Sequence, residues 1–237
     1  MNAPCSRRVI LSLALVCALP LLAAAENATS TPADNPDRNP ASHEDLADAA
    51  EQVLNSVQET HYQHRTHVDT AAGVYDLDCS GFVDYLLKRL APAQFAQLPI
   101  EAGHTRPRAQ TYYEFLHGLR RTPLSGWESV QRLTAARRGD LLAWKRVALI
   151  QEKGDTGHVA IVAGPPIVQT DGSVKVAVYD SSAARHDADS RADGTNGVGK
   201  GVITFRVNLQ GEPIAVRFNS EANFSTKPIA IGRLTGG

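Results

Sequence analysis

Cys79 stands in the stretch "YDLDCSGFVDYLLKRL", directly ahead of a helical pattern in which Val83, Leu86, Leu87 and Leu90 form one apolar stripe. A cysteine in the first turn of a helix lies among unpaired backbone N–H groups at the positive end of the helix dipole. That position favours the thiolate, which is the nucleophilic form. It also offers the same N–H groups to an oxyanion, so it suits both halves of an acyl transfer. The competing reading is a small, packed apolar residue. A thiol nucleophile needs a base, usually histidine, and the base needs an orienting group. Of eight histidines, His158 opens the apolar run "HVAIVAG" and is therefore fixed at a strand start, as a base or as a satisfied structural histidine. His43 and His117 fall on helix surfaces, His104 in a loop, and His186 in the polar loop "ARHDADSRADG". Asp180 ends the alternating run "VKVAVYD" on the face of Val174, Val176 and Val178. It orients His158 if the two strands pair, or else caps a turn at the strand end, with Ser181 and His186 as nearby substitutes.

The N-terminus bears on this cysteine. Arg7 and Arg8 precede the run "VILSLALVCALPLLAAA", which ends in small residues. Residues 1–25 are expected to be a signal peptide, of the general secretory or the twin-arginine kind, and the product is expected to be periplasmic or secreted, with no transmembrane helix after cleavage. Cleavage removes Cys5 and Cys17 and leaves Cys79 alone in an oxidising compartment, where cysteines usually pair. A lone cysteine there is buried or reactive. Residues 26–42 are rich in Pro, Asn, Asp, Ser and Thr and are expected to form a disordered spacer. Residues 43–237 are expected to form a single domain, the catalytic one if Cys79 is a nucleophile. The chain has 237 residues and a net charge of −1, so it can build a core of good size, and it has no basic excess to suggest nucleic acid.

The elements that position these residues follow from periodicity. Leu46, Ala49, Ala50, Val53, Leu54 and Val57 recur at helical spacing after the capping residue Ser42. Residues 59–77 show no period and are expected to be a loop. A third helix is expected over 107–120, with Pro107 in its first turn. From Gly139 onward come strands: "GDLLAWKR", "GHVAIVAG", "SVKVAVYDSS", "GVITFRV", "IAVRFNS", and the weaker "KPIAIGRL". Helices first and consecutive strands second imply an α+β fold with an antiparallel sheet. Trp127 and Trp144 are expected in the core or the cleft wall.

In this order, "DCSGFVDYLL", "RRGDLLAW" and "GHVAIVAG", followed by a polar residue one strand later, resemble the NlpC/P60 family of papain-like cysteine peptidases and amidases and their CHAP-type relatives. The resemblance covers roughly residues 60–205. It implies a papain-like fold with N-terminal helices on an antiparallel sheet, Cys79 as nucleophile, His158 as base and Asp180 as third member. It implies substrate contacts at Asp78 and Ser80, an oxyanion-site role for Tyr62, and peptidoglycan stem peptides as substrates. The sequence departs from the family's pattern in three respects: no paired glycines accompany Tyr62, the third residue is Asp, and "GPPIVQTDGS" lengthens the connection between His158 and Asp180. The alternatives are a periplasmic, transglutaminase-like proteinase acting on proteins, which also orders Cys, His and Asp, and a non-catalytic binding domain on the same scaffold. No cofactor or metal is expected. "HYQHRTHVD" offers His61, His64, His67 and Asp69 to zinc without helical support. "DADSRADG" lacks the acids of a calcium loop, and "GVGKG" is a glycine turn. The oligomeric state is left open.

Overall fold

The computed structural model describes residues 41–146 and 155–236. The expected signal peptide and nearly all of the expected spacer lie outside the described residues. Among the described residues no helix is long and apolar enough to cross a membrane.

Helix α1 (His43–Ser56) starts at a capping box in which Ser42 and Asp45 satisfy each other's backbone N–H groups. Helix α2 (Cys79–Leu90) is capped by Asp78 and carries Lys88 and Arg89 in its last turn, so the charges at both ends complement the dipole. A short helix α3 (Pro92–Phe95) follows, with Pro92 as its first residue. Helix α4 (Ala109–Gly118) replaces the expected 107–120. Arg108 is its N-cap, so Pro107 precedes the helix instead of lying in its first turn.

The segment 59–77 is not a plain loop. It holds strands β1 (Glu59–His61), β2 (His67–Asp69) and β3 (Val74–Asp76), joined in the order β1-β3-β2. Strands of three residues are too short to display alternation, which is why the sequence pattern is silent there.

The remaining strands are β4 (Trp127–Val130), β5 (Leu141–Lys145), β6 (Gly157–Val162), β7 (Ile167–Val168), β8 (Val174–Ser182), β9 (Gly197–Val207), β10 (Pro213–Arg217), β11 (Ser225–Thr226) and β12 (Ile229–Leu234). They form one sheet in the order β11-β10-β9-β8-β6-β5-β12-β4, with β7 paired to β8. All of its pairings are antiparallel. The fold is α+β, with a few helices and a large antiparallel sheet. The weakest expected strand, "KPIAIGRL", becomes β12, which inserts between β5 and β4 and is buried along its length.

Alternation along the strands gives two apolar faces. Leu141, Ala143, Val159, Ile161 and Tyr179 pack against Leu46, Phe82, Leu87, Tyr112 and Leu116 of the helices. On the other face Leu142, Trp144, Ala160, Val162, Val176, Val178, Ile203 and Phe205 make a second cluster. Truncating any one of these large side chains to Ala removes about 2–5 kcal/mol. The "RRGD" turn is pinned from both sides. Gly139 has φ +89, and a Cβ there would lie 1.6 Å from the His43 carbonyl oxygen. Asp140, fully buried, takes two 2.8 Å hydrogen bonds from Arg233 of β12. This bidentate pair ties the C-terminal strand to the turn that starts β5.

Candidate active site

Cys79 is the first residue of α2 because Asp78 holds extended backbone (φ −87, ψ −178) and accepts the Gly81 N–H at 2.8 Å. The helix packs its first turns on β6 and β8, and only 4% of Cys79 is exposed. Burial is the largest influence on the thiol and raises its pKa, and the Asp78 charge adds to this. The backbone N–H groups of Val159 and Ser80 pull the other way, and the Asp180 charge adds a further rise. The outcome lies well above the ordinary thiol range. This corrects the expectation of a thiolate. The helix terminus is present, but the sulfur is out of water and its capping residue is an anion.

His158 lies on β6, one residue before Val159, whose N–H acts on the sulfur. The pairings Ile161–Tyr179 and Val162–Val178 set a register that puts His158 and Asp180 on one face. His158 Nε2 lies 2.7 Å from Asp180 Oδ2. An ionised carboxylate only accepts, so Nε2 carries the hydrogen and the neutral ring presents a bare Nδ1. That nitrogen is the one free to take a proton. Among the described residues, no hydrogen bond links the Cys79 sulfur to the His158 ring. Trp144 (ring centroids 5.0 Å apart) and Phe218 (5.3 Å) hold the imidazole from two sides. Gly157 leads into it at φ +143, where a Cβ would lie 2.0 Å from the Trp144 carbonyl oxygen. Only glycine fits there.

Asp180 is fully buried, and more than the His158 partner surrounds it. His186 Nε2 also lies 2.7 Å from Oδ2, and Arg191 donates to Oδ1 at 3.2 Å. Burial alone would raise its pKa, but His186 and His158, through charge and hydrogen bonding, hold the carboxyl well below the usual range. These partners favour the ionised form of Asp180. His186, in the polar loop after β8, is buried against Phe218, and its Nδ1 has no partner among the described residues. In the loop considered for calcium, Arg191 occupies the centre. It pairs with Asp189 at 2.8 and 2.9 Å and reaches the Gly197 carbonyl at 2.8 Å. The cation at the centre of this loop is thus a buried guanidinium.

A cleft of about 310 Å³ opens beside Cys79, lined by Tyr62, His64, Asp78, Ser80, Arg106 and Thr156 among others. The Tyr62 hydroxyl lies near the Cys79 sulfur, and burial followed by the nearby Cys79 and Asp78 charges keeps its proton bound beyond the ordinary phenol range. Asp78 and Ser80 line the cleft, but their polar atoms are already engaged. Asp78 Oδ1 accepts from Gly81 and from Ser80 Oγ (3.2 Å). Asp78 Oδ2 accepts from Arg106 at 2.7 Å and faces His64 Nδ1 at 2.9 Å. Burial would raise the Asp78 pKa, but Arg106, His64 and the Gly81 N–H bring it below the usual carboxylate value.

Arg106 is the residue that the sequence pattern does not single out. It donates to Ser80 Oγ at 2.6 Å and to Asp84 at 3.4 Å, so one side chain braces the first two turns of α2. Asp84 also takes the Tyr112 hydroxyl at 2.7 Å. Burial pushes Asp84 up to about 7 against the Tyr112 hydrogen bond and the Arg106 charge. The only sequence signal for Arg106 is a lone arginine in a polar loop. The three histidines considered for zinc do not converge: His61 faces Asp76 at 2.9 Å, His64 faces Asp78, and His67 is exposed. Among the described residues no cluster of His, Cys, Asp or Glu is arranged to hold a metal.

No protein-family model matches the chain, and no solved structure matches it. Over 179 residues the chain is 26% identical to an uncharacterized protein, R653, of Acanthamoeba polyphaga mimivirus, an alignment that covers 66% of this chain and 77% of that protein.

Proposed function

We propose that the protein is an exported cysteine hydrolase of the NlpC/P60 kind, with a papain-like fold, that cleaves amide bonds in peptidoglycan stem peptides. The observation that carries the reading is the His158–Asp180 hydrogen bond, with the imidazole fixed one residue from the point where the helix-terminal thiol meets β6. In this reading the substrate carbonyl enters the cleft above Cys79. The sulfur attacks while His158 Nδ1 takes the thiol proton. The developing oxyanion meets the backbone N–H groups at the start of α2 and the Tyr62 hydroxyl. The imidazolium, held by ionised Asp180, returns its proton to the leaving amine, and water hydrolyses the thioester.

The test is digestion of purified sacculi with muropeptide analysis, using wild-type protein and Cys79→Ala. The expected result is new muropeptide ends with the wild type alone. An unchanged muropeptide profile refutes the substrate assignment. The Asp in third place also suits a transglutaminase-like proteinase, so periplasmic proteins form the second substrate arm. Cleavage there with intact sacculi would transfer the assignment to protein substrates. Failure in both arms leaves a non-catalytic binding domain.

A further inference from the structure

Tyr62 lines both the chamber beside Cys79 and a second chamber, of about 400 Å³, beside His158. A hydroxyl that is to meet an oxyanion there must be held in place before substrate arrives, because a misplacement of about 1 Å costs about 10²-fold in rate. Its own segment gives it little hold. Strand β1 ends at His61, β2 starts at His67, and residues 63–66 between them are exposed. Polar contacts must therefore fix this crossing. On its far side Arg106 donates to the His64 carbonyl at 3.2 Å, and His64 Nδ1 faces Asp78 at 2.9 Å. On its near side the Tyr62 N–H donates to Asn196 Oδ1 at 2.7 Å.

An asparagine before a glycine is ordinarily a turn residue whose side chain bonds its own backbone. The Asn196 oxygen instead reaches a backbone group 134 residues away in sequence. Gly197 permits the approach. It has φ +102, and a Cβ there would lie 2.3 Å from Thr60 Oγ1 and 3.0 Å from the His61 nitrogen. The next N–H, that of Val198, donates to the same Thr60 oxygen at 2.9 Å. The Asn196 carboxamide is thus seated against the end of β1. The loop that carries it also grips the other side of the site. Arg191 Nη1 donates to the Gly197 carbonyl at 2.8 Å, and its Nη2 donates to Asp180 Oδ1 at 3.2 Å. One short stretch of chain, 191–197, therefore touches both the carboxylate behind His158 and the backbone of the tyrosine near the sulfur.

We propose that Asn196 is a positioning residue: its carboxamide oxygen sets the Tyr62 hydroxyl beside Cys79, and its loop keeps that hydroxyl in register with the His158–Asp180 pair. The consequence for catalysis rests on Cys79 and Tyr62 acting as proposed above, whereas the placement of Tyr62 does not.

The test reads placement and chemistry separately. The full chain is labelled with fluorotyrosine, and Tyr62→Phe identifies the Tyr62 signal by fluorine NMR. In Asn196→Ala that signal should move toward its position in urea, while the other tyrosine signals stay in place and show that the fold is intact. Asn196→Asp keeps an acceptor oxygen for the Tyr62 N–H and should leave the signal close to wild type. An unmoved Tyr62 signal in Asn196→Ala, or the same displacement in Asn196→Asp, overturns the proposal. In muropeptide release from sacculi, Tyr62→Phe should lower the rate about 10²-fold. Asn196→Ala should lower it about tenfold at saturating sacculi, and Asn196→Asp should recover most of that loss. The double variant should be no slower than Tyr62→Phe alone, because Asn196 acts through that hydroxyl. Additive losses overturn the positioning role and spare the hydrolase. A wild type that cleaves neither sacculi nor proteins refutes the hydrolase, while the fluorine signals still decide the placement of Tyr62.

Discussion

Replacing Asp180 by Asn tests the centre of the site with almost no change of volume. The carboxylate receives two imidazole donors on Oδ2 and one guanidinium donor on Oδ1. An amide has one acceptor and one donor end. If its oxygen serves the imidazoles, its NH₂ faces Arg191, and if it serves Arg191, the NH₂ faces two N–H groups. Every orientation loses at least one charge-assisted hydrogen bond, each contributing about 1.5–3 kcal/mol, and takes away one of the two carboxylates that face the buried Arg191, which keeps Asp189. The total cost is about 2–4 kcal/mol. That is a large share of an ordinary domain's stability of about 5–15 kcal/mol, yet it leaves a folded protein. The sign with pH follows from the lowered carboxyl pKa. The contribution of Asp180 is complete above the unfolded value of 3.8 and is lost only as pH falls through the much lower folded value. Urea unfolding of wild type and Asp180→Asn should therefore show a clear gap at pH 7 that persists to about pH 5. Amide hydrolysis should fall about 10²–10⁴-fold, because the imidazole loses both its orienter and the stabiliser of its charged form. A variant with the wild-type urea midpoint, or with full activity, would refute the reasoning.

Other perturbations follow from the same geometry. Iodoacetamide should alkylate folded Cys79 more slowly than free cysteine at pH 7, with the rate still rising above pH 9 and returning to the free-cysteine rate in urea; a fast reaction that plateaus near pH 6 would mean a preformed ion pair. Asp84 has a folded pKa raised from 3.8 to about 7, so its favourable share is complete below the unfolded value and is lost as pH rises through 7, a loss of roughly 3–5 kcal/mol. Asp84→Asn keeps the Tyr112 hydrogen bond, and it should raise stability at pH 8 and flatten urea-derived stability between pH 5 and 8; an unchanged slope would show that Asp84 is not the titrating group. Gly157→Ala should destabilise by about 1–3 kcal/mol through backbone strain alone, with more from the Trp144 contact, and should lower activity by displacing His158; a thermal midpoint equal to wild type would contradict the geometry.

Legibility in the sequence tracked the length scale of the physics. Helices α1 and α2 and the long strands β6 and β8 bury one face over many residues, and their periodicity names both the element and the side that faces inward. His158 and Asp180 were recoverable because each continues such a face. Strands β1 to β3 left no period, and β12 was obscured because Gly232 and Arg233 interrupt its apolar run. Arg233 is tolerated there only because Asp140 waits for it from a position far away in sequence. The same holds for Arg106, His64, His186 and Arg191. Each is a polar residue in a loop whose role depends on a partner brought close by folding. Composition alone places such residues in solvent, and only a partner supplied by the folded chain draws them into the site.

If the protein acts as proposed, the raised thiol pKa favours one of two forms of cysteine catalysis. A helix terminus stabilises a nearby charge by about 0.3–1 kcal/mol, and by about 2 kcal/mol in partly buried settings. Full burial shifts a pKa by up to about 3–5 units, several times as much in free energy, and the Asp78 charge adds to the shift rather than opposing it. In the proposed mechanism the resting state is then a neutral thiol, with an imidazole whose Nε2 hydrogen is committed to Asp180. That arrangement does not support a standing thiolate–imidazolium pair, but it fits a proton transfer that accompanies attack, since Nδ1 is left as the acceptor. Binding would supply what the resting site lacks: a carbonyl polarised by the α2 N–H groups and Tyr62, whose developing negative charge draws the sulfur forward as its proton leaves. Burial of Cys79 is thus compatible with catalysis if Asp180 stays ionised, and the grip of His186 and Arg191 on that carboxylate secures this condition.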